Sequence, residues 1–376
     1  MAGSIPDKRG GLPVPSSLLI DIGPATGAHG ARGIGRYVRG LATSVAAFPD
    51  ELAGRVWAVG YEGPTLDSFA ARGTAMAWQR RLSGLPAWAT ARLDLGAALA
   101  KSGARVFHAT HPQQPWTARR IRSIVTVYDL IPLREPDMLL PRRPDRRLVY
   151  QWYIRQLESA ARILAISRST AEDLQERLGI APERIDIVYP VVVPPAPLPR
   201  IEPPEPTFLF VGALDPHKRP ELALRAFARF HASIGSGRLR YIGPAQDQDR
   251  RRLHELAAEL GIGESVSIEG RISDEELENA YRAATALVLT SKVEGFGLPS
   301  VEAVLRGLPV IAVETRAATE TLHGAAALVP ADADAIANAM AHPAAAAAPA
   351  AEAMRERYSV ASVARPTGRP VRTDRT

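Results

Sequence analysis

The segment from residue 286 to residue 313 constrains the fold of this chain more than any other. An apolar, β-prone run at 286–290 is interrupted by Gly295 and Gly297. Pro299 suits the first position of a helix, where its missing N–H is not needed. Gly307, with a proline two residues later, ends that helix, and an apolar run follows. The pattern predicts a strand, a glycine loop, a short helix and a second strand.

Two carboxylates flank the start of this predicted helix. Glu294 precedes the glycine loop. Glu302 lies three residues after Pro299, in the first turn of the predicted helix. The free N–H groups at a helix start bind anions. Such a site suits a sugar–diphosphate–nucleoside. The backbone amides would hold the diphosphate, and the carboxylate on either side would bind a pair of hydroxyl groups. Alternatively, the two glutamates only favour the positive end of the helix, and for Glu302 alone both interpretations stay open.

The run Glu294-Gly-Phe-Gly-Leu-Pro-Ser-Val-Glu302-Ala resembles the signature of the retaining GT-B glycosyltransferases of family 4. The resemblance implies that Glu294 contacts the donor sugar and that Glu302 binds the ribose hydroxyls. It also implies that the loop between them holds the diphosphate, with these donor-binding positions: Gly295, Phe296, Gly297, Leu298 and Pro299.

A second candidate site follows the first strand of the second half of the chain. His217, Lys218 and Arg219 stand in Gly-Ala-Leu-Asp-Pro-His-Lys-Arg-Pro, on a loop that leads into a helix. Cations there neutralise a diphosphate leaving group, and arginine does so with two hydrogen bonds. Relatives in the family carry a basic residue and a lysine here, with arginine common where this chain has His217. Alternatively, Lys218 and Arg219 are a solvated pair, although cations at a helix start are unfavourable without an anion.

A glycine-rich segment follows the first strand of the chain. Gly33 and Gly35 stand in Gly-Ala-His-Gly-Ala-Arg-Gly-Ile-Gly-Arg-Tyr, and close approach of the backbone to a ligand would need such glycines. The order is not Gly-x-Gly-x-x-Gly, so NAD is poorly supported. The resemblance implies a loop that faces the reacting sugar; a flexible loop is the alternative.

Two further strand ends carry polar residues. Asp129 follows Tyr128, where relatives have His-Asp or Tyr-Asp, so no histidine role transfers to this position. Asp129 is predicted to hydrogen-bond a sugar or acceptor hydroxyl, or else to cap the following turn. His108 and His111 either border the acceptor site or are structural histidines. No metal-binding arrangement appears, and we expect no metal and no cofactor besides the nucleotide-sugar donor.

Strand-like and helix-like segments alternate along the whole chain, which predicts an α/β protein with parallel sheets. Prolines crowd residues 190–206 and predict an extended linker. We therefore predict two Rossmann-like, doubly wound domains facing a central cleft, the GT-B arrangement. The predicted divisions are an acceptor-side domain at 1–193, a linker at 194–206, a nucleotide-sugar-binding domain at 207–345 and an Ala/Pro-rich, partly disordered segment at 346–376.

Composition limits the remaining possibilities. The 376 residues contain no cysteine, which excludes disulfides, thiolate metal sites and thiol nucleophiles. No run of ~20 apolar residues is present, so we expect a cytoplasmic protein, with peripheral contact at the inner face of the cell membrane as a further expectation. The net charge of +6 suits nucleic acid, an anionic bilayer, anionic substrates or simple solvation. Aromatic residues do not alternate with the arginine clusters, so nucleic acid is not expected as a partner.

The predicted function is that of a retaining glycosyltransferase. The donor is a GDP-sugar, with mannose as the leading choice, or a UDP-sugar; the acceptor is a glycan, a lipid-linked glycan of polysaccharide biosynthesis or a small natural product. The predicted catalytic residues are Glu294, Lys218 and Asp129. Two alternatives remain on sequence alone: a nucleotide-sugar epimerase or hydrolase of the same fold, and a binder without catalysis.

Overall fold

A computed structural model describes residues 18–26, 33–46, 56–60, 75–77, 104–111, 121–136, 144–192, 199–360 and 362. Contacts between Cα atoms divide the chain into two compact units, residues 1–126 with 159–163, and residues 127–158 with 164–376. The predicted domain division at the proline-rich segment stays a prediction. Within residues 18–362, apart from the gaps just given, no helix is both long enough and apolar enough to cross a bilayer.

The first of two sheets has seven strands in the order β3-β2-β1-β4-β5-β6-β7. The pairs β1–β2, β1–β4, β2–β3 and β4–β5 are parallel. Leu19, Phe107 and Val125 are buried on three neighbouring strands, as expected for a sheet covered on both faces. The strands are β1 Leu18–Asp21, β2 Val56–Gly60, β3 Ala75–Ala77, β4 Val106–Ala109, β5 Arg122–Val127, β6 Arg162–Ala165 and β7 Ile185–Ile187.

The second sheet has six strands in the order β10-β9-β8-β11-β12-β13, and all of its pairs are parallel. Strand order reverses between β8 and β11, which lie side by side with Ala286 opposite Phe208. In doubly wound sheets ligands bind beyond the carboxyl ends of strands at such a point. The strands are β8 Thr207–Val211, β9 Arg238–Ile242, β10 Val266–Gly270, β11 Ala286–Leu289, β12 Val310–Val313 and β13 Ala327–Val329.

Helices connect the strands in both sheets, so the prediction of an α/β architecture with parallel sheets is confirmed. The helices of the described residues are α1 Gly23–Thr26, α2 Gly33–Ala46, α3 Ile131–Arg134, α4 Pro144–Ser159, α5 Arg168–Leu178, α6 Pro220–Ile234, α7 Asp247–Glu259, α8 Asp274–Arg282, α9 Leu298–Leu305, α10 Arg316–Leu322, α11 Ala333–Ala341 and α12 Ala348–Arg357.

The core under the second sheet fixes the position of α6. Phe208 of β8 meets Phe230 of α6 edge to face, with ring centroids 4.9 Å apart, and Phe227 lies one turn away on the same helix face. All three rings are at most 4% exposed. Burial of aromatic rings and their edge-to-face contacts stabilise this packing, and they hold the turn before α6 at the end of β8.

Helix starts follow the capping rules. Ser273 and Glu276 have the residue types and spacing of a capping box, and the box is present, with Glu276 accepting from the Ser273 N–H at 2.7 Å. Ser169 is a candidate cap of α5 by residue type, but Ser167 is the cap and accepts from the Thr170 N–H at 3.0 Å. Ser169 already lies inside the helix, and Ser167 has the extended backbone that a cap requires.

Candidate functional site

Lys218 and Glu294 form an ion pair at the carboxyl edge of the second sheet. Lys218 ends the short turn Pro216–Lys218 after β8, and Glu294 lies in the loop after β11. The Nζ–Oε1 distance is 2.5 Å, and the two side chains are only 16% and 10% exposed. Because β8 and β11 are neighbours, their following loops meet, and the predicted catalytic pair comes together.

Both donors to Glu294 converge on one of its oxygens. Ser291 Oγ donates to Oε1 at 2.6 Å, the same atom that binds Lys218. Burial alone raises the pKa of Glu294, but the Lys218 charge and the two hydrogen bonds outweigh it and bring the pKa below its usual value. Glu294 is therefore an anion held in one orientation, and no described residue hydrogen-bonds its Oε2.

Backbone contacts hold the two loops in register. Thr290 Oγ1 lies 2.8 Å from the Lys218 carbonyl and 2.9 Å from the Arg219 carbonyl, so one hydroxyl is shared between them. The N–H of Lys292 donates to the His217 carbonyl at 2.8 Å. The stem of Lys218 lies over Gly212, where a Cβ would stand 3.4 Å from the lysine Cδ. These contacts fix the ammonium group before any ligand binds.

Gly295 packs directly on the end of β5. A Cβ at Gly295 would lie 2.0 Å from the Tyr128 carbonyl oxygen and 3.1 Å from Asp129 Cβ. Thr170 Oγ1, in α5, lies 3.2 Å from the Tyr128 carbonyl and 3.5 Å from the Gly295 carbonyl. The predicted residue Asp129 is thus brought beside the loop that contains Gly295, and only glycine permits this approach.

The environment of Asp129 opposes its ionisation. Its Oδ1 accepts from Ile131 N–H at 3.0 Å, which is the turn-capping contact weighed as an alternative on sequence. Burial is the largest influence and raises the pKa of Asp129, and the negative charge of Glu294 raises it further. Asp129 therefore holds a proton more readily than an ordinary aspartate, unlike Glu294.

The start of α9 has the form expected of an anion site. Gly297 has φ +84° and is the N-cap of this helix, where, within the described part of the chain, no side-chain cap is made to the first N–H groups. Leu298 and Pro299 form the first turn and are half-buried. Phe296 points the other way: it is 3% exposed and meets Tyr358 edge to face at 5.2 Å. Phe296 thus anchors the loop by packing.

Glu302 is buried in the same helix, 7% exposed. Its Oε2 accepts from the Tyr281 hydroxyl at 3.1 Å, and the guanidinium of Arg306 lies 5.1 Å from the Tyr281 ring centroid. The position of the Glu302 carboxylate is therefore fixed by burial and by the Tyr281 hydroxyl, and not only by the charge at the helix start.

His217 and Arg219, on either side of Lys218, differ in charge and in backbone conformation. The His217 imidazole is 7% exposed, and its Nδ1 has no hydrogen-bond partner among the described residues. Burial, followed by the Lys218 charge, lowers the pKa of His217, so the ring is neutral near pH 7. Arg219 has φ +49°, an unusual backbone for a side chain of this kind, and no ion pair to a described residue. Arg219 is the cation of the loop that stays available.

The remaining predicted residues belong to the other unit. Gly33 and Gly35 lie in the first turn of α2, and residues 27–32 of their glycine-rich segment are outside the described residues. His108 Nε2 lies 2.8 Å from Thr126 Oγ1, and burial lowers the pKa of His108 to about 4. His108 is thus a structural histidine. His111 is buried.

Sequence reasoning missed three contributors. Ser291 could have been found, because it is a polar residue at a strand end three positions before Glu294. Tyr281 and Thr170 gave no such signal, since their contacts with Glu302 and Gly295 join segments far apart in sequence. Across the described part of the chain, no group of three His, Asp or Glu side chains is arranged to hold a metal ion.

Two family models match the chain in succession. Residues 31–194 match "Glycosyltransferase Family 4" and residues 199–355 match "Glycosyl transferases group 1". A D-inositol 3-phosphate glycosyltransferase of Catenulispora acidiphila is 35% identical over 173 residues, which cover 42% of this chain and 41% of that protein. The match therefore spans about two fifths of the length of that curated relative.

Solved structures share the fold over nearly the whole chain. Sucrose-phosphate synthase of Thermosynechococcus elongatus superposes with a TM-score of 0.69 at 22% identity, covering 93% of this chain and 96% of its own. Anabaena HepE, solved in complex with UDP-glucose, gives 0.65 at 16% identity, covering 93% and 97%. The two family models match successive parts of one chain, and that chain has the fold of these transferases. The chain therefore belongs to the GT-B glycosyltransferases of family 4.

Proposed function

We propose that this chain transfers a sugar from a nucleotide-diphosphate sugar to a hydroxyl group of an acceptor, with retention of the anomeric configuration. The observation that carries the proposal is the Lys218–Glu294 pair, a fixed cation and a fixed anion beside an uncapped helix start. A leaving diphosphate needs positive charge, and the departing sugar gains positive charge. The pair offers one group for each.

The diphosphate would lie between Lys218, Arg219 and the N–H groups at the start of α9. Negative charge grows on the diphosphate as the bond to the sugar breaks, so these donors bind the transition state more tightly than the ground state. Glu294 Oε2 would face the sugar, and Glu302 would hold the ribose hydroxyls. We expect no metal ion in this step, because Lys218, Arg219 and the helix start supply the positive charge.

The bond changes are simple. The bond between the anomeric carbon and the diphosphate oxygen breaks, and a bond to the acceptor oxygen forms on the same face. The acceptor proton passes to the leaving diphosphate. Asp129, beside the loop, would orient the acceptor hydroxyl. Such a front-face path needs no pair of carboxylates around the sugar, unlike glycoside hydrolysis.

The comparisons favour a UDP-sugar over the GDP-mannose expected from sequence. HepE was solved with UDP-glucose, and the curated relatives are named for a phosphorylated cyclitol acceptor. We propose a UDP-sugar donor and a polyhydroxylated acceptor, either a cyclitol or a sugar, with mannose transfer and polysaccharide assembly as the alternative. A peripheral membrane site would follow only from a lipid-linked acceptor.

Binding of the nucleotide tests the donor site. Thermal unfolding would be followed with UDP, GDP, ADP and NAD at millimolar concentration, because a ligand at 100 times its Kd stabilises the native state by about 2.7 kcal/mol. One nucleoside diphosphate should raise the melting temperature, and NAD should not. Flat curves for all three diphosphates would contradict the proposal.

Two variants test the catalysis. Lys218→Ala and Glu294→Ala should fold and lose transfer, measured as release of the nucleoside diphosphate. Arg238→Ala is the matched control: it breaks an ion pair with Glu205 at the amino end of β9, away from the edge where ligands bind. Near-normal turnover in either site variant would overturn the assignment. Product analysis separates a transferase from an epimerase or hydrolase.

A further inference from the structure

A buried tyrosine of α8 makes its hydrogen bond to a residue of the proposed donor site. The Tyr281 hydroxyl donates to Glu302 Oε2 at 3.1 Å, across the interface between α8 and α9. Both side chains are buried, and the tyrosine is the more deeply buried of the two. A hydrogen bond to a carboxylate is shorter and stronger than one to a neutral acceptor, so it constrains the orientation of that group. Tyr281 therefore holds the Glu302 carboxylate without itself being within reach of a ligand.

Tyr241 and Tyr358 are as deeply buried as Tyr281 but donate to main-chain carbonyls. The acceptor of Tyr241 is the Pro220 carbonyl at 2.7 Å, and that of Tyr358 is the Thr321 carbonyl at 2.8 Å. Such bonds satisfy a buried phenol without burying an acidic side chain. A buried carboxylate has a desolvation cost that an apolar side chain of similar size would avoid. Packing between α8 and α9 alone therefore does not explain why a phenol and a carboxylate meet there.

Arg306, at the end of α9, holds the phenol ring in place. Its guanidinium carbon lies 5.1 Å from the centroid of the Tyr281 ring, a cation–π contact. Its Nε donates to Glu278 Oε2 at 2.8 Å, and its Nη1 donates to the Glu302 carbonyl at 2.8 Å. Because the guanidinium is anchored by these two bonds, it fixes the ring that it covers. The Tyr281 hydroxyl is therefore a fixed point to which the Glu302 carboxylate is tied.

We propose that Tyr281 is a positioning residue for ribose recognition and acts through Glu302, whose carboxylate binds the hydroxyl pair of the nucleoside. A carboxylate has about four lone-pair sites, so a phenol on one oxygen is compatible with two ribose hydroxyls on the group. The phenol sets the plane of the carboxylate, and this plane determines where the hydroxyls must lie. The chain should therefore select ribonucleotides over nucleotides that lack these hydroxyls. The inference rests on the proposed function, because it takes Glu302 as the ribose-binding residue.

Two nucleotides that differ only in the ribose hydroxyls test this role. Isothermal titration calorimetry of the full chain would use UDP and 2′,3′-dideoxy-UDP, or the same GDP pair if GDP is the diphosphate that raises the melting temperature. The native protein should bind the ribonucleotide at least about tenfold more tightly than the dideoxynucleotide. In Tyr281→Phe, which keeps the ring beneath Arg306, this ratio should fall by at least about threefold, because only ribonucleotide binding weakens. A purely structural role would weaken both ligands equally, so an unchanged ratio would overturn the proposal.

Two further variants show whether the phenol acts through Glu302. Tyr241→Phe is the matched control, because it removes a buried phenol hydroxyl that bonds a main-chain carbonyl, and it should keep the native ratio. Glu302→Gln should lower the ratio, and the double variant Tyr281→Phe/Glu302→Gln should lower it no further, since one residue acts through the other. Additive losses, or an equal fall in Tyr241→Phe, would overturn the proposal.

The same titrations distinguish failure of this inference from failure of the proposed function. A native protein that binds the two nucleotides equally would overturn the ribose role of Glu302 and with it the role of Tyr281, whereas the diphosphate site at Lys218 would stand. A native protein that binds neither nucleotide would contradict the proposed function itself, and the inference would fall with it.

Discussion

Glu294 and Asp129 are neighbouring carboxylates with opposite electrostatic environments. Glu294 receives an ammonium and a hydroxyl on one oxygen, and these outweigh its burial and lower its pKa. Asp129 receives one backbone N–H, and burial together with the Glu294 charge raises its pKa. The charge of Glu294 is compensated by its neighbours, whereas one backbone N–H does not compensate that of Asp129. This difference fits their proposed roles. Glu294, which would stabilise developing charge, is fixed by two hydrogen bonds, and Asp129, which would bind a hydroxyl group, has an oxygen that no described residue hydrogen-bonds.

The contact that brings the two carboxylates together is the most sensitive point. Gly295→Ala places a Cβ 2.0 Å from the Tyr128 carbonyl oxygen, so the loop and the end of β5 must separate. We expect a loss of more than about 3 kcal/mol in the free energy of unfolding, measured with urea. Transfer activity should fall as well.

Gly297→Ala is the control for this prediction. Gly297 has φ +84°, and its added Cβ would lie 3.1 Å from Ser300 Oγ, so the cost is mainly backbone strain of about 1–2 kcal/mol. Equal losses at the two glycines would show that the contact with Tyr128 is not what holds the carboxylates together.

Removing the compensating cation should make Glu294 resemble Asp129. Lys218→Met leaves a buried anion without its partner, and we expect about 3 kcal/mol of destabilisation and at least a 100-fold loss of transfer. The double variant Lys218→Met/Glu294→Gln should recover much of the stability, because no bare charge remains, but none of the activity. A double variant as unstable as Lys218→Met would indicate that the lysine acts through packing alone.

The dependence of stability on pH should differ in sign between the two carboxylates. The pKa of Glu294 lies below its usual 4.5, so its contribution is present above that value and lost as the pH falls through the folded pKa. The pKa of Asp129 lies above its usual 3.8, so stability is highest below that value and declines as the pH rises toward the folded pKa.

Urea unfolding between about pH 2 and about pH 8 measures this difference, because the Glu294 window lies below its usual pKa and the Asp129 window lies above its own. Glu294→Gln should be less stable than the native protein near neutrality, with the gap closing in acid. Asp129→Asn should match the native protein in acid and become relatively more stable as the pH rises. Two variants with the same trend would remove the contrast between the carboxylates.

The sequence predicted the parts of the site that depend on local pattern. Apolar runs at 207–211 and 286–290 place Lys218 and Glu294 beyond the ends of two strands. Lys218 lies in a proline-marked turn, and Glu294 stands just before the glycine loop. The helix start at Gly297 and the capping box at Ser273 follow from residue types that favour those positions. Such features need only a few residues to specify them.

Other features depend on packing between distant segments and left no local signal. Strands β3 and β7 have three residues each, too short for an alternating pattern, and α12 lies in an Ala/Pro-rich region whose sequence predicted partial disorder. Residues 363–376, which include the predicted disordered end, are outside the described residues. The contacts of Gly295 with Tyr128 and of Tyr281 with Glu302 also follow only from the assembled fold.

The smallest expected effect comes from the second donor to Glu294. Ser291→Ala removes one hydrogen bond at 2.6 Å but leaves Lys218 on the same oxygen, so the carboxylate stays charged and nearly in place. We expect about 1.5 kcal/mol of destabilisation, the low end for a bond to a charged group. Transfer should fall less than tenfold, because the orientation of Oε2 depends on both donors and one remains. A loss as large as that of Lys218→Met would mean that the hydroxyl, not the ammonium, fixes the anion.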